Sequence, residues 1–410
     1  MGGYIDQSTW TARTVERYDA STDTWSTFGE SPGDHYTFVH VLPLPDGRLL
    51  VASMEAPFDT YDPASDTWTT LGDAAVFDSD TAVTQLADGD VFFVGGGMDL
   101  DDWGSAYRFD ADTDTLDTVA SLPVPRRRLA ATLLADGRVL VTGGLRFVDE
   151  IENFEALTSA EIYDPVADRW TVAAPIPEAR YDHRAALLPD GRVLVTGGVG
   201  TGYEHLPSTV IYDPATDAWT SGPTMAAGRA LHTATALPSG RVVMVGGAGA
   251  GRAVELYDPA TSAFIALPSL SHGRQSHTTT YIPGKGLLVI SGSTAELYAL
   301  GATAEGEACV ITEECADGTC EDGRCADDGG GTGAGPGDPG GPPGGGCSPP
   351  WFDLGAMPGH AAMLLVAPGM FAWRRRRGVR STRRAAAEGR RAAARLRAGR
   401  AASKKNEGDR

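Results

Sequence analysis

Asp190-Gly191-Arg192-Val193-Leu194-Val195-Thr196-Gly197-Gly198 is a tight turn, a short apolar strand and a glycine pair, and the chain repeats it almost letter for letter from Asp136 to Gly144. Weaker copies start at Asp46, Asp88, Ser239 and Gly284. Each is followed by a second fixed pattern, in which a Tyr-Asp-Pro turn precedes a bulky aromatic: Tyr61-Asp62-Pro63 with Trp68, Tyr163-Asp164-Pro165 with Trp170, Tyr212-Asp213-Pro214 with Trp219, and Tyr257-Asp258-Pro259 with Phe264. Degenerate copies are Tyr18-Asp19 with Trp25 and Phe109-Asp110 with Leu116. The pattern recurs at positions 18, 61, 109, 163, 212 and 257, a spacing of 43 to 54 residues. Self-similarity at such a period marks a repeat architecture.

Each unit holds four strand-like runs, in one copy roughly 185–188, 192–196, 209–212 and 218–220. Pro-Asp-Gly joins the first two as a hairpin turn. Asp-Pro-Ala-Thr-Asp joins the last two, where Asp caps the turn and Pro presets φ. The second run is apolar at nearly every position, so both of its faces are expected to be buried. A lone four-stranded sheet cannot do that, whereas sheets packed face to face around a ring can. A helical fold is excluded by the missing 3.6-residue period and by 52 glycines and 26 prolines.

The double glycine after strand two, the Tyr before the third turn and the Trp seven residues later resemble the kelch repeat. Over residues 1–300 the resemblance implies an all-β kelch-type β-propeller of six or seven four-stranded blades, similar to the central domain of galactose oxidase. That fold hosts many functions and names none. Met1-Gly2-Gly3 stands ahead of Tyr18-Asp19 much as Gly197-Gly198 stands ahead of Tyr212. This predicts an incomplete N-terminal blade, a natural start further upstream and seven blades in the natural protein. No charged and apolar leader is visible at the start.

After about Leu300 the composition changes. Residues 301–326 carry Cys309, Cys315, Cys320 and Cys325 in an acidic, glycine-rich run, while no cysteine precedes Cys309. Clustered cysteines of this kind suit two disulfides in an exported protein better than a zinc site, which favours shorter Cys pairs. Residues 327–350 read as a disordered Gly/Pro-rich linker. Residues 351–377 join an apolar stretch to Arg374, Arg375, Arg376 and Arg377, and 378–410 form a basic Ala/Arg-rich tail. Linker, Cys347, short apolar helix and arginine cluster together resemble the myxobacterial C-terminal sorting signal. That implies export, membrane retention and processing near Cys347, although such signals usually stop soon after the arginines. Residues 374–410 hold 15 Lys and Arg against 3 Asp and Glu, a net of +12, which leaves −32 for the rest of a chain of net charge −20. A basic flank stays cytoplasmic and places the propeller outside. The acidic propeller repels nucleic-acid phosphates.

In a meander blade the 2–3 and 4–1 loops share one face. The 2–3 loops vary most in length here, and function gathers on variable loops held by a rigid scaffold. The candidates on that face are Asp99, Asp101, Asp102, Trp103, Arg146, Phe147, Glu150, Glu152, Tyr203 and His205. A second set recurs at the start of strand one: Arg180-x-x-His183, Arg229-x-x-His232 and Arg274-x-x-His277, with Arg126 matched but Leu129 in place of the His. Such a ring at the channel mouth would bind an anion or the carboxylate of an acidic sugar; equal positions in successive blades equally suit a repeated structural hydrogen bond. Galactose-oxidase chemistry needs a cross-linked Cys within the propeller, and none is there. Asp110-x-Asp112-x-Asp114 looks faintly like a calcium loop but lacks its Gly and distal Glu. No cofactor is implied. The expected function is non-catalytic binding of a protein or glycan at the cell surface. The alternatives are a carbohydrate-active enzyme using Arg and His at the channel mouth, and a structural coat component.

Overall fold

In a computed structural model, the described residues are 14–300, except 33–38, 54–57, 73–79, 98–101, 150–152 and 293, together with 320–321, 324–325 and 352–353. They form six four-stranded antiparallel sheets, with no α-helix among them. We letter the strands of each blade a to d, outward from the channel. Blade 1 is His40–Pro43, Leu49–Ala52, Phe58–Asp62 and Thr67–Gly72; blade 2 is Ala82–Gln85, Val91–Val94, Ala106–Asp110 and Thr115–Thr118. Blade 3 is Ala130–Leu133, Val139–Thr142, Ala160–Asp164 and Arg169–Ala173; blade 4 is Arg184–Leu187, Val193–Thr196, Thr209–Asp213 and Ala218–Ser221. Blade 5 is Thr233–Ala236, Val242–Val245, Val254–Asp258 and Ala263–Leu267. Blade 6 is Thr278–Ile282, Gly286–Ser291 and Thr294–Tyr298, with Phe352–Asp353 paired outside its third strand.

The b strands are buried as their apolar composition requires, and alternation sends their side chains into two different cores. Val193 and Val195 pack with Leu140 and Ile162 of blade 3, whereas Leu194 packs with Val242, Met244 and Tyr257 of blade 5. Each core therefore lies between blades, and no blade can fold alone. The hairpin of Thr14–Asp19 and Thr24–Glu30 carries the c–d sequence of a further blade. Its Tyr18 and Trp25 pack on Leu288, Ile290 and Leu297 of blade 6, and Val15 packs on Val39 and Val51 of blade 1. It is a partial blade between the last complete one and the first.

The repeat's signature residues are inter-blade fasteners. The last Asp of the c–d turn adopts positive φ, as at Asp168 (45°) and Asp217 (48°). Tyr212 packs at a tilt against Trp219 across the strands, ring centroids 4.9 Å apart, and its hydroxyl donates to Asp217 at 2.7 Å. The same Asp217 accepts the Ala174 N–H, and Trp219 Nε1 donates to the Ala174 carbonyl, latching blade 4 to blade 3. Asp168 and Trp170 hold Ala120 of blade 2 in the same way.

The glycine pair works at the inner end. Gly197 has φ +58°, and its Cα lies so close to the next blade that a Cβ would sit 2.3 Å from the Arg229 carbonyl oxygen. Gly198 N–H donates to that same oxygen at 2.8 Å. Glycine is required because only a bare Cα lets one backbone approach the next so closely.

Candidate functional site

The recurrent arginines are buried posts. Arg126, Arg180 and Arg229 have no exposed surface, and Arg274 is 6% exposed. Arg126 Nη1 donates to the carbonyls of Gly143 and Ser159, and its Nη2 meets Glu161 at 2.6 Å. Arg229 repeats this with Gly246, Ala253 and Glu255, and Arg274 with Thr294 and Glu296. In blade 4 Val210 stands where the others have Glu, and Glu178 from the entering loop takes its place beside Arg180. The guanidiniums clamp the loop after the glycine pair to strand c of their own blade and face away from solvent. The four arginines are thus turned from the channel mouth by their own partners.

The histidines fasten neighbouring blades. His183 Nε2 bonds Thr142 Oγ1 of blade 3 at 2.8 Å, and His232 Nε2 bonds Thr196 Oγ1 of blade 4 at 2.8 Å. Where the preceding blade ends in Val94, the next carries Leu129, and the two pack together. Burial holds the His183 and His232 pKa values well below 6.5, with nearby arginines adding to the effect. His183→Leu is expected to cost about 2 kcal/mol by leaving the Thr142 hydroxyl buried without a partner. Adding Thr142→Val, which copies the Val94–Leu129 solution, is expected to recover most of it in urea unfolding. A histidine with a depressed native pKa gives stability that is complete above its unfolded value and lost as pH falls through 6.5. The double variant is therefore expected to lose less stability between pH 6.5 and 5.5, by about 1 kcal/mol.

At the channel mouth the first turn into each of blades 3 to 6 passes through a left-handed residue: Arg128 (57°), Asp182 (53°), Leu231 (55°) and Ser276 (50°). That conformation aims each N–H at the preceding blade. Ser276 donates to the Leu231 carbonyl, Leu231 to Asp182, Asp182 to Arg128 and Arg128 to Asp80, at 3.0–3.1 Å. A head-to-tail chain of backbone bonds thus circles blades 2 to 6. On it sits an ionic cluster: Arg128 bridges Asp80 (3.3 Å) and Asp182 (3.2 Å), and Arg127 reaches Asp80 at 3.4 Å. Burial, opposed by Arg128 and reinforced by Asp80, pushes the Asp182 carboxyl up to about 6. Asp182 Oδ1 has no hydrogen-bond partner among the described residues. Below lies a cavity of about 450 Å³ lined by all six a strands, and His277 and His40 are both on its wall. Burial lowers each of these two histidines to about 4.

Beside the mouth, the long 2–3 loop of blade 3 is itself a hairpin, Leu145–Asp149 paired with Asn153–Ala156. It brings Arg146 and Phe147 together with Trp103, Pro123, Val124 and Pro125 around a second cavity of about 440 Å³. Arg127 lies over both Trp103 (4.8 Å) and Phe154 (5.3 Å). Trp103 itself is buried, and exposed Arg146 pairs with Glu155 at 2.7 Å. Tyr203 stands apart at 77% exposure, and His205 packs against Gly228 and Gly249 between the loops of blades 4 and 5. Asp102 caps the short turn that delivers Trp103, its carbonyl accepting the Ser105 N–H. Asp99, Asp101, Glu150 and Glu152 lie outside the described residues. The Asp110 carboxylate is occupied by the Asp112 and Thr113 N–H groups, and Asp114 by Arg48 of blade 1.

The family model described as the Kelch motif matches residues 180–226, from the buried arginine of blade 4 to the entry of blade 5. Blade 4 is a kelch repeat. No curated protein matches the sequence. Among solved structures, the one titled "Structure of YjhT" is similar at 18% identity and a TM-score of 0.45, covering 53% of this chain and 73% of that one.

In this propeller the sequence reading grouped Trp103, Arg146 and Phe147, which share one cavity, with Tyr203 and His205, which the structure places apart from them. It missed Asp80, Arg127, Arg128, Asp182, Phe154 and Arg184. For Arg127, Arg128, Asp182 and Arg184 the signal was present: within Arg-x-x-His and its Leu129 variant it is the residues between the fixed pair, and the one after it, that change from blade to blade. Of the cysteines, Cys320 and Cys325 face each other across a two-residue antiparallel pair. Cys309, Cys315, Cys347 and Arg374–Arg377, with the apolar segment and tail, lie outside the described residues.

Proposed function

We propose that this kelch propeller is an exported recognition module, held at the outer surface on its Cys-rich segment, that binds a protein or glycan through the 2–3/4–1 loop face without turning it over. One observation carries the reading. Of the five large apolar side chains most exposed among the described residues, Val148, Phe154 and Tyr203 all lie on the 2–3 loops, the first two on the hairpin that borders the aromatic cavity of Trp103 and Phe147. Exposed aromatics on a rigid, wet face favour binding, since they bring apolar area at little entropic cost. The acidic body favours partners that are not themselves polyanionic. Export rests on the four clustered cysteines and the resemblance of the C-terminal segment to a sorting signal. Intact mass before and after reduction tests it, with two bridges expected.

The binding test is an array of glycans and surface polysaccharides probed with the purified chain, with ligand mass recorded before and after. Saturable binding without a mass change is expected. Phe154→Ser and Tyr203→Ser are each expected to weaken it at least about tenfold, as for interface anchors, with the melting temperature unchanged. Equal binding by these variants would remove the loop face as the site. A second reading, a carbohydrate-active enzyme, has one observation in its favour: the Asp182 carboxyl at the channel mouth, with one oxygen unpartnered and its pKa raised. A changed ligand mass, lost in Asp182→Asn, would establish it instead.

A further inference from the structure

The channel wall holds a charged residue that the fold does not use. The first residues of the six a strands occupy equivalent positions: His40, Ala82, Ala130, Arg184, Thr233 and Thr278. All six line the same cavity and all are partly exposed to it. Two neighbouring blades give alanine, which leaves room, and the other four give polar side chains. Arg184 is the cation among them. Unlike the arginine posts, it forms no ion pair among the described residues, and its one side-chain hydrogen bond is from Nη1 to the His183 carbonyl at 3.1 Å. The nearest carboxylate, Asp182, is drawn towards Arg128. Counting Arg127, Arg128 and Arg184 against Asp80 and Asp182, the mouth and upper channel keep an excess of one positive charge inside an acidic protein.

The walls next to Arg184 supply hydroxyls. Thr233 and Thr279 bond each other at 2.8 Å across blades 5 and 6. Thr235 and Thr280, one step further along their strands, line the cavity and make no side-chain hydrogen bond among the described residues. His277 and His40 lie on the same wall and add no charge at neutral pH.

We infer that the central channel is a binding site for a small hydroxylated monocarboxylate, with the carboxylate on the Arg184 guanidinium and the hydroxyls met by the threonines of blades 5 and 6. The excess of one charge matches a monoanion better than a dianionic phosphate. A cavity of about 450 Å³ far exceeds what a bare ion fills and lies within the range of small-molecule sites. This site is distinct from the loop face and does not rest on that proposal. A guanidinium meets a carboxylate with two parallel hydrogen bonds, which lysine cannot reproduce.

Calorimetric titration of the full chain with acetate, gluconate, glucuronate, glucose and inorganic phosphate tests the inference. Gluconate or glucuronate is expected to bind saturably, and glucose at least tenfold more weakly. Arg184→Gln is expected to reduce the sugar-acid affinity at least tenfold, and Arg184→Lys by less. Thr235→Val with Thr280→Val is expected to weaken the sugar acids but not acetate, which keeps the test valid if Arg184→Gln fails to fold. The inference is overturned if no carboxylate binds, if phosphate outcompetes all of them, or if the folded Arg184→Gln variant binds them as wild type does.

Discussion

Gly197→Ala is expected to destabilise the propeller by about 3 kcal/mol and to lower its melting temperature by roughly 5–10 °C. The residue's φ is +58°, where an L side chain costs about 1–2 kcal/mol. The new Cβ would then meet the Arg229 carbonyl oxygen at 2.3 Å and the His232 ring at 3.1 Å. The first of these contacts is backbone, so the relief is a shift of blade 5 away from blade 4. That shift strains the Gly198 N–H bond to the same oxygen, worth about 1 kcal/mol. Gly284→Ala is the control. Its φ is also positive, +72°, yet no atom lies within 4 Å of the added Cβ. Its cost is expected to be about 1 kcal/mol, from the backbone alone. Urea unfolding of both variants separates close approach from conformational preference, and equal costs would refute close approach as the reason for the glycine pair.

That pair was the most legible feature of the sequence, and the reason is physical. A requirement imposed by backbone approach leaves one residue type, so it recurs unchanged: Gly143 and Gly246 face the Arg180 and Arg274 carbonyls as Gly197 faces Arg229. The Tyr, Asp and Trp of the c–d turn are equally constrained, and the apolar b strand follows from being sandwiched between two cores. From these the propeller could be read. What could not be read is direction. Arg180 and Arg184 stand four residues apart near the same channel, yet one is turned into its own blade and the other lines the cavity. Repetition at equal positions drew attention to the arginines that serve the fold, whereas Asp182, Arg128 and Arg184 were hidden by variation. The hairpin Leu145–Ala156 was visible only as a long loop, because it packs its aromatics on Trp103 from another blade.

Arg126→Met is expected to be the most damaging single change, at about 3–5 kcal/mol. Its loss leaves the Glu161 carboxylate, 2% exposed, in the interior without its cation. Arg126→Met with Glu161→Leu removes both charges. That variant is expected to recover all but about 1–2 kcal/mol, the remainder reflecting the Gly143 and Ser159 carbonyls left without a donor. The pH dependence gives a second reading. Burial already raises the Glu161 pKa above 4.5 while Arg126 pulls it down, so removing Arg126 raises it further. An acid whose native pKa is raised binds its proton more tightly when folded. Its contribution is complete at low pH and is lost as pH climbs from its unfolded value through its folded one. Relative to the double variant, which has the same histidines, the Arg126→Met deficit is therefore expected to be small at pH 5 and large at pH 8. Arg180→Met supplies the contrast. Its carboxylate partner Glu178 is 46% exposed, so the stranded charge is solvated and the pH-dependent part of the loss is expected to vanish. A pH-independent deficit at Arg126 would mean that this post acts by hydrogen bonding alone, and that the buried Glu161 carboxylate contributes no charge to it.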